Sequence, residues 1–321
     1  MRYVLSALVC LLMTPLAQAA DAMRAVVIAD GGGVKIESVS KPEPQAGQVR
    51  IKVRAVSVNP VDWKLAGRSA PGTIPGRDFA GVIDAVGTDA GEWKKGQAVI
   101  GVAAPGSGSY AEYTLAQVKA LAIKPKHLSF EEAAGLPVVG ETAWRAMVTV
   151  ANVQAHDKVL IHGGAGGVGS SAVQVAKARG AWVIATASPD HADLVRHLGA
   201  EQVIDYHSVR FEDQVHDVDV VLNTVDADTG LRSVKVLKPG GILVSVVGPP
   251  PTEQCAAAHI RCDITGSVNG EKLGQVSQLA DRGQLSVHID RKMSLADVAE
   301  AWRLSKEGHI GGKIILEASF H

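Results

Sequence analysis

Lys158 to Gly180 reads KVLIHGGAGGVGSSAVQVAKARG. Val159, Leu160 and Ile161 form an apolar run of the length of a buried strand. Glycines follow at 163, 164, 166, 167 and 169. Val168, Ala172, Val175 and Ala176 then recur at helical spacing, and Gly180 stands where a helix closes in the left-handed region. Gly164-x-Gly166-x-x-Gly169, with a strand before it and a helix after it, is the pattern of a turn that holds a dinucleotide. Glycine is needed where the backbone bends sharply and must approach a pyrophosphate with no Cβ between them. The free N–H groups and the positive dipole end of the helix hold the anion. Gly164, Ala165, Gly166, Gly167, Val168 and Gly169 are therefore the expected cofactor contacts.

Downstream, strand-like runs at 182–185, 202–205, 218–222 and 242–247 alternate mostly with helical segments. That alternation predicts a parallel, doubly wound sheet, an α/β fold. The end of its second strand reads cofactor choice. An acid there would bond the ribose 2′-hydroxyl and select NADH. The sequence instead has Thr186-Ala187-Ser188-Pro189, with no acid until Asp190, so NADPH is favoured over NADH, and Ser188 can bond a 2′-phosphate. Asn223 and Val225 end the fourth strand, and Val247 and Gly248 end the fifth. Ligands of such sheets bind beyond the carboxyl ends of the strands, which places these four against the nicotinamide half.

Upstream the pattern changes. Residues 23–28, 34–39, 48–59, 78–86, 98–103 and 110–115 read as strands broken by turns such as Asp30-Gly31-Gly32-Gly33. Many short strands with frequent turns suggest a small distorted barrel. Asn59-Pro60 reads as a turn. Ser129, with Glu132 three residues on, starts a helix, and a second helix is expected over 141–150. Near the end, Leu295, Val298, Ala299 and Trp302 mark one apolar helix face, and residues 312–316 form a last strand that returns to the first domain.

The 321 residues suit two domains, and 46% hydrophobic content supports a sizeable core. The 32 basic and 33 acidic residues nearly cancel, so nothing points to nucleic acid or a membrane surface. The start of the chain reads as an export signal: Arg2, an apolar run over 4–13 too short to span a bilayer, and the small-x-small site Ala17-Gln18-Ala19. Residues 1–19 are then removed, and the product is periplasmic or secreted. Translation from Met23 would instead leave it cytoplasmic. Two cysteines remain, Cys255 and Cys262, which an oxidising compartment can bridge; two buried thiols are the alternative.

Asn59-Pro60-Val61-Asp62-Trp63-Lys64, Pro75-Gly76-Arg77-Asp78-Phe79-Ala80-Gly81, Gly108-Ser109-Tyr110-Ala111-Glu112-Tyr113, the glycine turn and Gly312-Lys313-Ile314-Ile315-Leu316 fall in one order along the chain. In this the chain resembles the medium-chain dehydrogenase/reductases, and within them the zinc-independent quinone oxidoreductases of zeta-crystallin type. The resemblance implies a GroES-like β-rich catalytic domain over 20–145, a Rossmann domain over 146–286, and a return to the catalytic domain over 287–321. It implies an active site in the cleft between them, and a homodimer. Zinc relatives carry a cysteine where Asn59 stands and a His-Glu pair where Arg77 and Asp78 stand. A catalytic zinc needs three N, S or carboxylate ligands, so no catalytic metal is expected. The resemblance places Asn59 and Asp62 against the nicotinamide, Thr142 near the cofactor phosphates, Tyr206 on the 2′-phosphate, and Lys313 in the returning cofactor-side motif. Lys64 is a candidate to stabilise an enolate. Each has an ordinary alternative: a turn for Asn59, a helix hydroxyl for Thr142, a solvated surface for Lys64.

With no Lewis acid, the expected reaction is hydride transfer from NADPH to a quinone or an α,β-unsaturated carbonyl, whose conjugation spreads the negative charge. Alcohol oxidation would need a strong base or a metal. A non-catalytic, exported nucleotide or small-molecule sensor on the same fold is the other reading.

Overall fold

The computed structural model describes residues 22–308 and 310–320. The export segment read from residues 1–19 lies outside them. The chain begins with an antiparallel pair, β1 (Ala22–Ile28) and β2 (Val34–Ser40). The first large sheet then starts with β3 (Gln48–Ser57), whose burial alternates along its first half as expected of a strand with one solvated face. Helix α1 (Pro60–Ala66) follows directly, so the expected Asn59-Pro60 turn is a helix start, with proline at a first-turn position where its missing N–H costs nothing. β4 (Asp78–Val86), β5 (Ala98–Val102), β6 (Tyr113–Gln117) and β7 (Leu121–Ile123) complete this part of the sheet. The strand expected from Tyr110 starts three residues later.

Helix α2 (Phe130–Ala134) has the expected capping box: the Ser129 hydroxyl accepts from the Glu132 N–H, and the Glu132 carboxylate accepts from the Ser129 N–H. Helix α3 (Pro137–Trp144) begins earlier than the expected Glu141, again at a proline, and runs into a wider π-type segment over 145–150.

The parallel sheet follows: β8 (Lys158–Ile161), α4 (Gly167–Ala178), β9 (Trp182–Ala187), α5 (Ala192–His197), β10 (Gln202–Asp205), β11 (Val218–Asn223), α6 (Ala227–Ser233), β12 (Leu237–Ser245), α7 (Thr252–Ala257) and β13 (Arg261–Ile264). Its strand order is β10-β9-β8-β11-β12-β13, all parallel. The order reverses between β8 and β11, which makes that point the crevice for a ligand. β13 has no apolar run and was not legible as a strand. Helix α4 is buried without a break from Gly169 to Ala176, because α3 covers the side away from the sheet, and α8 (Leu273–Asp281) packs on α3 in turn.

The chain then returns to the first sheet as β14 (Ile289–Ser294), helix α9 (Val298–Glu307) and β15 (Lys313–Glu317). β15 pairs antiparallel with β3, as expected. The buried face of α9 uses Val298, Ala301 and Trp302, with Leu295 before it; Ala299, expected on that face, is exposed. At the crossing, Gln174 of α4 donates to the Ser286 carbonyl and accepts from the Ser286 N–H and hydroxyl, so the returning chain is bonded to the most buried helix.

Cys255 and Cys262 form a disulfide with Cα atoms 6.1 Å apart, within the span such a bond allows. It ties α7 to β13, the edge strand with the least apolar burial. In the chain-entropy description a loop this short stabilises by about 2 kcal/mol. Cys262→Ser is therefore expected to lower the urea-unfolding free energy by about that amount, and reductant should lower the wild type but not the variant.

Candidate active site

A cavity of about 700 Å³ lies at the reversal point, between the glycine turn, α1, β15 and the segment after β13. One wall is Gly166, Gly167, Val168 and Gly169, the turn and first residues of α4. Gly166 is the N-cap, with extended backbone and no side chain to bond the helix end, so the first N–H groups of α4 face the cavity without intrahelical partners. A Cβ placed on Gly166 would meet only the Gly163 carbonyl, at 3.4 Å. The space in front of it is open, and a side chain would fill what a pyrophosphate needs. Gly169 has a different task. A Cβ there would sit 2.1 Å from the Gly163 oxygen, so this glycine lets the helix press onto the turn. Gly164 packs against Ala185 of β9 and Val195 of α5, and neither it nor Ala165 lines the cavity. The turn thus fits a dinucleotide by shape and by its unpartnered donors.

The opposite wall carries Asn59, 2% exposed, and Lys313, 4% exposed. The Lys313 ammonium donates to Asn59 Oδ1 at 2.6 Å and to the Val58 carbonyl at 2.8 Å. Asn59 Nδ2 donates to Asp78 Oδ2 at 2.9 Å. Asp78 also accepts from the Ser57 hydroxyl at 2.6 Å and from the Val138 N–H at 2.9 Å. Burial pushes the Asp78 carboxyl up, against the pull of Lys313 and these donors; burial pushes Lys313 down, against Asp78 and Asp62.

The expected site residues divide. Thr142 lines the cavity, with its hydroxyl donated to the Val138 carbonyl at 2.7 Å. Lys64 lies on the exposed rim, its ammonium 5.4 Å from the Trp63 ring centre. Val247 is in the lining. Asp62 is not: it is buried behind the wall, where Oδ2 accepts from the Asn59 N–H at 2.8 Å and the Tyr110 hydroxyl at 3.0 Å. It caps α1 and holds the backbone of Asn59, so contact with a nicotinamide is corrected to support of the residue that lines the site. Asn223 is likewise corrected. Its side chain closes its own turn, donating to the Asp226 carbonyl and accepting from the Val225 N–H. Val225 and Gly248 lie outside the lining at the strand ends. Ser188 and Tyr206 each follow the end of one of two neighbouring strands, since Ala187 of β9 is in register with Asp205 of β10. The Ser188 hydroxyl bonds His191 Nδ1 at 2.9 Å, and the Tyr206 ring is 52% exposed.

The sequence reading missed the wall formed by Thr265, Gly266, Ser267 and Val268. Three side chains fasten the stretch around it. Arg77 Nη2 donates to the Val268 carbonyl at 2.8 Å, Arg145 Nε to the Thr265 carbonyl at 2.9 Å, and Glu141 Oε2 accepts from the Gly270 N–H at 2.6 Å. Among the described residues, no three His, Cys, Asp or Glu side chains are grouped to hold a metal.

The first-sheet region, residues 45–126, matches the alcohol dehydrogenase GroES-like domain, and residues 198–316 match the zinc-binding dehydrogenase model. A tomato (Solanum lycopersicum) 2-methylene-furan-3-one reductase is 37% identical over 317 residues, spanning 92% of this chain and 79% of that protein. The chain belongs to the medium-chain dehydrogenase/reductase family, in its quinone oxidoreductase branch. The chloroplastic NADPH-dependent alkenal/one oxidoreductase of Arabidopsis thaliana is also 37% identical over 92% of this chain and 79% of that protein. The quinone oxidoreductase structure from Coxiella burnetii superposes with a TM-score of 0.84 at 33% identity, covering 92% of this chain and 99% of that one.

Two outcomes follow from this geometry. Gly166→Ala should fold with near-wild-type stability and lose NADPH affinity by about tenfold or more, whereas Gly169→Ala should lower the unfolding free energy by more than about 2 kcal/mol; titration calorimetry and urea unfolding separate the two. Burial pushes the Asp62 carboxyl up to about 7, against the bonds from Asn59 and Tyr110. Between the ordinary carboxylate range and that value, the folded chain keeps a proton that the unfolded chain releases. Stability is therefore lost as pH rises through this window, by up to about 4 kcal/mol. Asp62→Asn, which keeps an acceptor for both donors, should make the fall in unfolding free energy between about pH 4 and about pH 7 smaller than in the wild type.

Proposed function

We propose that the protein is an NADPH-dependent reductase of quinones and α,β-unsaturated carbonyls that works without a catalytic metal. One observation carries the reading: the glycine turn, Asn59 and Lys313 line a single cavity at the reversal point of the sheet. The relatives named for NADPH-dependent alkenal/one reduction and the quinone oxidoreductase structure support the substrate class. When bound, NADPH supplies a hydride; an enone takes it at the β carbon and takes a proton at the α carbon.

The residues of the chain account for holding and polarising. The unpartnered N–H groups of α4 hold the pyrophosphate, and Ser188 with Tyr206 receives the 2′-phosphate. An ammonium has donors only, so the bond from Lys313 fixes which way the Asn59 amide points. Asn59 Oδ1 faces Lys313, and one Nδ2 hydrogen goes to Asp78. The remaining Nδ2 hydrogen is what Asn59 can offer the cavity. A donor there suits a carbonyl oxygen on which negative charge grows, in a site where water is displaced by Val138, Val139, Val246 and Val247. Among the described residues the cavity wall carries no carboxyl and no phenol, which supports water as the source of the proton. The donor set supports the metal-free reading: Asn59 replaces a thiolate, Arg77 cannot ligate, and both Asp78 oxygens already accept hydrogen bonds. The export signal and the disulfide together support an oxidising location outside the cytoplasm.

Purified mature protein should oxidise NADPH in the presence of 1,4-benzoquinone or 3-penten-2-one, at a rate unchanged by 1,10-phenanthroline. Asn59→Ala should lower kcat by about tenfold or more. NADPH that binds but is not oxidised by any acceptor offered would instead favour a sensor.

A further inference from the structure

Among the described residues, three cations line the cavity, Lys64, Arg77 and Lys313, and no carboxylate does. Lys313 is balanced from behind by Asp78 and Asp62. Arg77 and Lys64 have no such balance: among the described residues neither lies within ion-pair distance of an acid. Arg77 is half-buried, and of the five N–H donors of a guanidinium it gives one to a protein acceptor, the Val268 carbonyl. Four donors remain on a planar group beside an acid-free cavity.

The cofactor's own phosphates do not account for Arg77. The pyrophosphate belongs to the turn after β8, and the 2′-phosphate to the ends of β9 and β10. Arg77 reaches the segment after β13, at the other edge of the sheet. In the strand order β13 lies three places from β8 and four from β9. Arg77 therefore serves the substrate end. Ser267 and Ser305 add hydroxyls to the same lining, and Lys64 adds a second positive charge at the rim.

We propose that the substrate is an enone or quinone that carries an anionic group, in the simplest case a carboxylate, which seats on the spare guanidinium donors of Arg77 with Lys64 at the entrance. A planar guanidinium matches a carboxylate with two parallel N–H···O bonds, and a desolvated bond of that kind gives orientation as well as affinity. This deepens the reductase reading and rests on it.

The test compares trans-4-oxo-2-pentenoate with its methyl ester, which keeps the conjugated system and removes the charge. Wild-type kcat/KM should favour the acid at least tenfold, and the preference should shrink with added salt. In Arg77→Gln the acid-over-ester ratio should fall by about tenfold, and Arg77→Lys should restore part of it, since the charge returns without the bidentate geometry. Binding is read separately by titrating 4-oxopentanoate and methyl 4-oxopentanoate into the protein loaded with NADP⁺, with thermal unfolding confirming that each variant is folded. Equal preference for acid and ester in the wild type would overturn the proposal. So would equal losses on both in Arg77→Gln, which would mean that Arg77 polarises the reacting carbonyl. If neither pentenoate is reduced, the reductase reading fails, and the titration still decides whether the cavity selects an anion.

Discussion

The bond from Lys313 to Asn59 joins the two ends of the fold at the place where the ligand cavity opens. Asn59 leaves the first long strand, β3; Lys313 begins the last strand, β15, which comes back after the whole parallel sheet to pair with β3. A buried ammonium is tolerable only when its donors and its charge are answered. Here the Val58 carbonyl and the Asn59 amide answer the donors, and Asp78 answers the charge. The Lys313 stem also runs beside Gly167, where a Cβ would come within 2.9 Å of its Cδ. One side chain thus fixes the return of the chain, the orientation of the Asn59 amide and the approach of the glycine turn to the first sheet.

That coupling explains why the site is built from three distant parts of the sequence. Shifting β15 by one residue would turn Lys313 to the other face of the sheet, leaving Asp78 buried and unanswered and freeing the Asn59 amide to flip. The 265–268 wall is held by the same logic from the other side. Arg77 sits next to Asp78, and Arg145 and Glu141 belong to the stretch that begins where the Val138 N–H meets Asp78. The cleft is therefore closed by polar bonds from two stretches that both meet the buried acid, while the apolar cores on either side supply the bulk of the stability.

Sequence reading recovered what short-range rules control. The glycine turn, the strands with clean apolar runs, and the Ser129 capping box all depend on residues within one or two turns of each other. The order of motifs located Asn59, Thr142 and Lys313, all of which the cavity brings together. What escaped was set by tertiary contact. β13 has the pattern of an exposed strand, and pairing with β12 and the bridge at Cys262 decide its place. Asp62 stands in the right motif, yet its role depends on which way α1 turns the carboxylate, and that is settled by Tyr110, 48 residues away. Arg77 was noted for what it cannot do, bind zinc. The signal that could have marked it as a lining residue was its charge beside an apolar strand.

Asp62 shows what the arrangement costs. Its carboxyl is buried, its Oδ1 has no hydrogen-bond partner among the described residues, and burial raises its proton affinity toward neutrality. An apolar residue in that place would be easier to bury but would leave the Asn59 N–H and the Tyr110 hydroxyl without an acceptor. Those two bonds hold the start of α1, and the start of α1 holds the residue that faces the cavity. Local stability is given up so that the backbone of Asn59 keeps its place. Such an exchange is expected where chemistry, and not packing, sets the choice of residue.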